Sequence, residues 1–298
     1  MTGESMWLPR SRCGRHCLPR PGTWPVADRA RRISRLVGVA LLLAVGLAAA
    51  APLLLARGAT RQRAARLFAR ALLRSLGIAH DVRGQVPRRA ALVVANHVSW
   101  LDVLLLMAHL PVRLVAKQEL RRWPIVGALA AASGTLFINR NSPRALPAVV
   151  ADVAAALRAG SVVALFPEAT TFCGGDTGSF RPAMFQAAID ARAVVAPVSL
   201  RYGLASGDCT TVAAFVGDDG LFSSLVRVAS VQGLTATLRM HAVLHPEAAV
   251  SRRVLARAAH ATVSPDAPAG RQPWRGDRST AVSTGWRRVP QHLHNVTR

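Results

Sequence analysis

The feature that most constrains the fold is a regular alternation of short apolar runs with amphipathic helical patterns between residues 90 and 199. The apolar runs predict strands, and the segments between them predict helices. The strands are predicted near residues 90–95, 112–116, 135–138, 161–166 and 193–199, and the helices near 101–109, 124–132, 143–158 and 182–191. This order is typical of α/β proteins, so we predict a mixed, largely parallel sheet flanked by helices.

The pattern continues less regularly after residue 200. A strand, a helix, a second strand and a second helix are predicted at 211–216, 218–231, 235–244 and 250–263. We therefore place a single α/β domain over residues 77–263. Residues 1–30 and 264–298 lack hydrophobic periodicity and are rich in Arg, Pro and polar residues, so both segments are predicted to be disordered.

An uncharged apolar run, residues 36–56, precedes this domain and is long enough to cross a bilayer core as a helix. A spanning helix, a re-entrant hairpin and a monotopic helix all fit this run. Residues 57–76 place Arg on one helical face and Phe and Leu on another, which is typical of a basic amphipathic helix at an anionic membrane. An ordinary helix covering the domain is the alternative for this segment. We predict that residues 31–76 form membrane-anchoring helices.

The net charge of +23 is unevenly distributed, because more than half of it lies in residues 1–90. Basic charge ahead of the α/β pattern favours docking to an anionic surface. Aromatic residues are not interleaved with the basic ones, and the sequence has no recognised nucleic-acid-binding motif. We therefore predict an anionic membrane as a partner and no nucleic acid.

His97 and Asp102 are the candidate catalytic pair. His97 follows the first predicted strand, where α/β proteins place reacting groups, and Asp102 lies in the first turn of the next helix. A carboxylate at this spacing can accept the Nδ1–H of the imidazole and leave the other ring nitrogen free to take a proton. A substrate that brings its own hydroxyl then needs no Ser or Cys nucleophile. Alone, the pair is equally well explained by a surface histidine and an aspartate favoured by the helix dipole.

Three further blocks follow the His97 block, and they read Gly-Thr-Leu-Phe-Ile-Asn-Arg at 134–140, Leu-Phe-Pro-Glu-Ala-Thr at 165–170 and Val-Ala-Pro-Val at 195–198. Four blocks in this order resemble the glycerolipid acyltransferase family, which includes the 1-acyl-glycerol-3-phosphate acyltransferases. The resemblance covers about residues 90–202. It implies an acyltransferase-type α/β fold and acyl transfer from a thioester to an alcohol, with His97 as general base and Asp102 as its orienting partner.

The resemblance also implies which residues bind the acceptor. Arg140 and Lys117 match basic positions that suit a phosphate group. For Arg140, a local salt bridge at the strand end is the alternative. Glu168 matches a residue that positions the glycerol part of the acceptor, and Gly134 and Thr170 are assigned to substrate binding together with their blocks.

The third block departs from the family pattern. The family usually has Gly-Thr-Arg after the glutamate, whereas this chain has Ala169, Thr170 and Thr171. Arg181 is a candidate to replace the missing arginine. The other interpretation is an acceptor without a phosphate monoester, because a threonine at this position resembles the acyltransferases that act on lyso-ornithine lipid.

Four cysteines are scattered along the chain, at Cys13, Cys17, Cys173 and Cys209. The first two have the spacing of a metal half-site, but no second pair at zinc spacing follows, so we predict no metal. Base catalysis on a thioester also requires none. We therefore predict no cofactor, with acyl-CoA or acyl carrier protein as co-substrate.

These observations predict a membrane-bound O-acyltransferase of phospholipid biosynthesis. It would transfer a fatty acyl group from acyl-CoA or acyl carrier protein to the sn-2 hydroxyl of 1-acyl-glycerol-3-phosphate. Its partners would be a lysophospholipid acceptor, the acyl donor and the inner cell membrane, with the catalytic domain facing the cytoplasm. Another lysolipid, such as lyso-ornithine lipid, is the alternative acceptor. A catalytically inactive lipid-binding membrane protein is the alternative from a different class.

Overall fold

The computed structural model describes residues 11–87, 89–139, 143–246 and 251–264. Its strands are β1 to β7 in chain order, at Ala79–Arg83, Ala91–Ala95, Val112–Lys117, Leu136–Ile138, Val162–Leu165, Val194–Leu204 and Leu234–Met240. Its α-helices are α1 to α8, at Arg29–Leu55, Gly58–Ser75, Leu101–His109, Pro124–Ala132, Leu146–Arg158, Phe185–Ala191, Leu221–Ser230 and Arg252–Val263. Short 3-10 helices lie at Arg15–Cys17, Gln118–Arg122 and Pro143–Ala145.

The strands form one sheet in the order β1-β7-β6-β2-β5-β3-β4. Only the β6–β7 pair is antiparallel among the described strands. The prediction of a mixed, largely parallel sheet flanked by helices is therefore confirmed. Strand β2 lies between β5 and β6, so the loop that follows it emerges near the middle of the carboxyl edge of the parallel strands. Crevices outside this edge are where α/β sheets bind ligands.

Strand β2 is buried on both faces, which explains its uninterrupted apolar sequence. Ala91, Val93 and Ala95 contribute to a core shared with α2, α3 and α7. Leu92 and Val94 belong to a second core, built with α5, α6 and α8. Fully burying a Val or Leu side chain stabilises a fold by about 1.5–3 kcal/mol. The end of β2 is therefore a firmly fixed point from which the next residues project.

One predicted strand is absent from the structure, and one strand of the structure was not predicted. Residues 211–216 do not form a strand, although four of them are fully buried or nearly so. Their backbone turns back on itself, and the Phe215 N–H donates to the carbonyl of Val98 in the loop after β2 (2.9 Å). In the other direction, β1 escaped prediction because it is a short edge strand in which His80, Asp81 and Arg83 are polar and every residue except Val82 is exposed.

Residues 11–28 pack against the domain, which differs from the disorder expected for residues 1–30. The Ala27 N–H donates to Ser230 O (2.8 Å), and the Gln232 N–H donates to Pro25 O (2.8 Å). Cys13 is buried. These contacts could not be predicted from the polar composition, because backbone hydrogen bonds hold much of the segment on the domain. Residues 1–10 and most of the predicted C-terminal tail lie outside the described residues.

Helix α1 is long and apolar enough to be a candidate membrane span, by length and composition. One side of it packs on the domain, where the buried Arg35 donates to the carbonyls of Ala229 (3.0 Å) and Val231 (2.7 Å). Gly46 faces the ring of Phe68, and an added Cβ would come within 2.7 Å of that ring. The opposite side carries large apolar residues that are at least half exposed, at Ile33, Val37, Leu41, Val45, Leu54 and Leu55.

Candidate active site

The loop after β2 is held to the neighbouring strand by Asn96. Its side-chain carbonyl accepts from the Leu200 N–H (2.8 Å), and its side-chain amide donates to Leu200 O (3.0 Å). The buried amide therefore extends the β2–β6 pairing by one step and fixes where His97 begins. The sequence did not single out Asn96 for this role.

The structure brings His97 and Asp102 together as predicted by their spacing. The two side chains are hydrogen-bonded, with 2.9 Å between His97 Nδ1 and Asp102 Oδ2. Asp102 is fully buried, whereas the His97 side chain is 20% exposed. Because an ionised carboxylate only accepts hydrogen bonds, the proton lies on Nδ1 and Nε2 is the nitrogen able to take another. This geometry is what a general base and the carboxylate that orients it require.

The turn between the strand and α3 also wraps around the same carboxylate. Oδ2 of Asp102 accepts from the backbone N–H of Val98 (2.6 Å) and of Ser99 (2.8 Å). Asp102 lies in the first turn of α3, where the helix dipole favours a negative charge. These donors offset the cost of burying the charge and hold the carboxylate toward His97.

Tyr202 supplies the remaining partner of this carboxylate. Tyr202 lies near the C-terminal end of β6, where its hydroxyl donates to Asp102 Oδ1 at 2.6 Å and its ring is buried. Burial, together with the adjacent Asp102 carboxylate, raises the pKa of Tyr202 well above its usual value. The hydroxyl therefore remains a donor. Sequence reasoning missed it, although Tyr202 is the single tyrosine of the chain.

Phe166 packs flat against the imidazole. The ring centroids of His97 and Phe166 are 3.9 Å apart, and their planes differ by 11°. Phe166 directly follows β5, the strand paired with β2. With Asp102 on Nδ1 and Phe166 on one face, the imidazole is restricted in both rotation and tilt.

Glu168 bridges the His97 loop and the loop after β5. Its Oε2 accepts from the His97 N–H (2.6 Å), and its Oε1 accepts from the Gly178 N–H (2.9 Å). The residue is only 3% exposed. Burial raises the pKa of Glu168 from 4.5 to about 7, although the two backbone donors act in the opposite direction. Ala169, the next residue, has a φ of +61°, a conformation that favours the glycine usual in the family.

The other predicted binding residues are less closely gathered. Lys117 ends β3 and is exposed, on the same carboxyl edge as the His97 loop. Gly134 lies before β4, at the opposite edge, where its carbonyl accepts from Arg113 (3.0 Å). The structure therefore does not bring Gly134 to the His97 loop, because the block crosses the sheet and only its end reaches the carboxyl edge. The substrate-binding role of Gly134 stays a prediction. Arg140 lies outside the described residues.

The segment after Glu168 carries the remaining predicted binding residues. Thr170 is half-buried, and Arg181 is exposed, with its backbone N–H bonded to Pro167 O (3.0 Å). The Thr171 hydroxyl donates to the Phe215 carbonyl. Thr171 therefore fills a structural position where the family usually has an arginine.

Comparison with known proteins agrees with this geometry. The acyltransferase family model matches residues 79–201, which include β1 and the His97, Glu168 and 195–198 blocks. The 1-acyl-sn-glycerol-3-phosphate acyltransferase of Neisseria meningitidis is 40% identical over 178 residues, covering 59% of this chain and 69% of that protein. The chain belongs to the glycerolipid acyltransferase family. The resemblance recognised in the four blocks is confirmed.

Two further relatives broaden the comparison of this acyltransferase. The lyso-ornithine lipid O-acyltransferase of Pseudomonas aeruginosa is 38% identical over 168 residues, covering 56% of this chain and 64% of that protein. The crystal structure of the 1-acyl-sn-glycerophosphate acyltransferase of Thermotoga maritima has a TM-score of 0.58. It is 20% identical and covers 78% of this chain and 94% of that chain, so it confirms the fold.

Proposed function

We propose that this acyltransferase transfers a fatty acyl group from acyl-CoA or acyl carrier protein to the sn-2 hydroxyl of 1-acyl-glycerol-3-phosphate. The observation that carries the proposal is the His97–Asp102 pair, which leaves Nε2 as the proton acceptor beside the carboxyl edge of the sheet. Membership in an acyltransferase family supplies the reaction class. The pair supplies a base for it.

The reaction follows from the chemistry of the two substrates. An alcohol becomes an effective nucleophile when His97 Nε2 removes its proton, and Asp102 stabilises the imidazolium that forms. The oxygen then attacks the thioester carbonyl, so that a C–O bond forms and the C–S bond breaks. The proton on Nε2 passes to the departing thiolate. Phe166 and Glu168 contribute by fixing the ring and the backbone of His97.

Lyso-ornithine lipid is the second candidate acceptor, and Thr171 is the observation that favours it. The hydroxyl of Thr171 is bound to a backbone carbonyl, and an arginine side chain is absent from this position. Relatives with each of the two acceptor names are similar to this chain at 40% and 38% identity. The identities therefore do not separate the acceptors, whereas a direct assay does.

Attachment to the inner cell membrane, with the catalytic domain facing the cytoplasm, is part of the proposal. The exposed apolar side of α1 would lie in the hydrocarbon, and the basic side of α2 would face anionic headgroups. A lysolipid acceptor resides in the same layer. The enzyme would therefore meet its acceptor without extracting it into water.

The test is acyl transfer by the purified, detergent-solubilised full chain with labelled long-chain acyl-CoA. 1-Acyl-glycerol-3-phosphate and lyso-ornithine lipid are supplied in parallel. His97→Ala should lower the rate by about 10,000-fold, at the upper end of what general base catalysis contributes. His245→Ala, which replaces an exposed histidine outside the site, is the matched control.

Each result has a defined meaning. Full activity of His97→Ala would overturn the mechanism. Turnover of lyso-ornithine lipid alone would show that this lipid is the acceptor. The phosphate-binding roles proposed for Lys117 and Arg140 would then be wrong. Lysolipid binding without turnover of either acceptor, from either acyl-CoA or acyl carrier protein, would support the inactive lipid-binding alternative.

A further inference from the structure

Two neighbouring N-terminal cysteines meet a third, distant in sequence, beside the active-site loop. The sulfur atoms of Cys13, Cys17 and Cys173 all lie within 4.8 Å of one another. Cys13 and Cys173 are buried, and Cys17 is half-buried. From the sequence, only Cys13 and Cys17 were recognised as having the spacing of a metal half-site. The fold supplies the third ligand from the loop after β5.

The two N-terminal cysteines are presented by a single short turn. The 3-10 helix Arg15–Cys17 is closed by the Cys17 N–H, which donates to Gly14 O (2.9 Å). The turn is anchored from outside by the Thr211 hydroxyl, which donates to Cys17 O (2.6 Å). The turn that carries Cys17 is therefore held in place by a backbone bond and a threonine hydroxyl, so the ligand set is preorganised.

A backbone donor reaches the cluster of sulfur atoms. The Cys173 N–H donates to the sulfur of Cys13 at 3.3 Å. Gly175 follows in the same loop, and a Cβ added to it would lie 3.8 Å from the sulfur of Cys173. Metal-bound thiolates carry negative charge, and N–H donors of this kind orient and stabilise them.

We propose that Cys13, Cys17 and Cys173 bind one Zn²⁺ ion. Three thiolates form a soft ligand set that selects Zn²⁺ over Mg²⁺ or Ca²⁺. The fourth position is completed by water, because the His16 imidazole on the same turn lies outside the group of ligand atoms. The expectation that no metal binds rested on the missing second cysteine pair, and Cys173 removes that premise.

The ion would have a structural role outside the acyl-transfer chemistry. Phe172, the neighbour of Cys173, donates its N–H to His97 O at 2.8 Å. The metal would therefore join the segment that leads into α1 to the loop that supports His97. Binding of a ligand to the folded state alone raises stability, so loss of zinc should loosen this connection.

The experiment uses the full chain, purified in detergent under reducing conditions without chelator. Elemental analysis should find about one zinc per chain, and Co²⁺ exchanged into the protein should show thiolate-to-cobalt charge-transfer absorption. Cys13→Ser, Cys17→Ser and Cys173→Ser should each weaken binding by more than about 100-fold, beyond the cost of outer contacts. Cys209→Ser, at an exposed cysteine outside the cluster, should keep the metal.

Two further measurements complete the test. Chelation should lower the Tm of the wild type by about 5 °C and leave Cys173→Ser unchanged. His16→Ala should keep the metal, because the imidazole lies outside the group of ligand atoms. Absence of zinc and of the Co²⁺ spectrum in the wild-type chain would overturn the proposal, whatever the variants do. A Cys13–Cys173 disulfide detected by intact mass would overturn it as well.

Discussion

Two buried carboxylates, Asp102 and Glu168, support the same histidine by different means. Asp102 accepts from the His97 ring and from two backbone amides of its own turn. Glu168 stands 71 residues from His97 in sequence and accepts from the His97 backbone, not from its ring. One carboxylate therefore sets the protonation and orientation of the imidazole. The other sets the position of the loop that carries it.

The difference shows which contacts of the site join residues that are close in sequence and which depend on the folded sheet. The partners of Asp102 lie within five residues, apart from Tyr202, so the spacing predicted the pair and the three following blocks favoured its catalytic interpretation. The donors to Glu168 come from two loops that meet only in the folded sheet. Each oxygen of Glu168 keeps a further lone pair, so the predicted contact with an acceptor hydroxyl stays possible and stays a prediction.

The largest effect expected within this comparison is that of Asp102→Asn. An amide nitrogen in place of an Asp102 oxygen would face donors on the backbone or on Tyr202, and the imidazole would lose the partner that fixes its tautomer. We expect the rate to fall by about 1,000-fold with acceptor KM little changed. Steady-state kinetics would measure this split. A loss confined to KM would place Asp102 in binding and contradict the assignment.

Glu168→Gln should have a smaller effect. The Gln amide would place a donor against the N–H of either His97 or Gly178, leaving one backbone group unsatisfied. We expect a cost of about 2 kcal/mol in unfolding free energy and about a 100-fold lower rate. Denaturation and kinetics of the same preparation measure both. A variant with normal stability and a raised acceptor KM would instead assign Glu168 to acceptor binding.

The ionisation of Glu168 adds a pH dependence. Because its pKa is about 7 in the fold and 4.5 ordinarily, the folded chain keeps a proton that the unfolded chain has lost between these values. Its contribution to stability is therefore fully present below about pH 4.5 and declines as the pH rises toward 7. The Tm of the wild type should fall over this range relative to Glu168→Gln. Parallel curves for the two proteins would contradict the raised pKa.

Tyr202→Phe probes the distant side of Asp102. It removes the donor to Oδ1 and leaves the three donors to Oδ2 in place. We expect about a tenfold lower rate and a loss of about 1 kcal/mol in stability. The pH profile of kcat distinguishes positioning from packing, because a weakened carboxylate network shifts the acid limb. An unshifted profile would limit Tyr202 to a structural role.

The smallest expected change is a gain. Ala169 adopts φ of +61° directly after Glu168, where glycine pays no steric cost. Ala169→Gly should therefore raise stability by up to about 1 kcal/mol and leave the rate within about twofold. Thermal unfolding beside the acyl-transfer assay checks both. A loss of stability would show that the alanine methyl group makes a compensating contact.

The sequence predicted two kinds of feature: strands buried on both faces, and contacts between residues that are close in sequence. Strand β2 was recognisable because both its faces meet a core, and the His97–Asp102 pair because five residues join them. Phe166, Tyr202 and Asn96 were missed because their partners arrive from other strands. Residues 211–216 looked like a strand, yet their apolar side chains fill a turn whose amide binds the His97 loop.

The buried guanidinium of Arg35 has a practical consequence for protein production. It ties the long apolar helix to the carbonyls of Ala229 and Val231, while Gly46 of the same helix covers Phe68. Cutting the chain before α2 would strip these carbonyls of their donor and uncover the aromatic ring. A shortened catalytic fragment is therefore expected to precipitate, so detergent remains necessary even for work on the reaction alone.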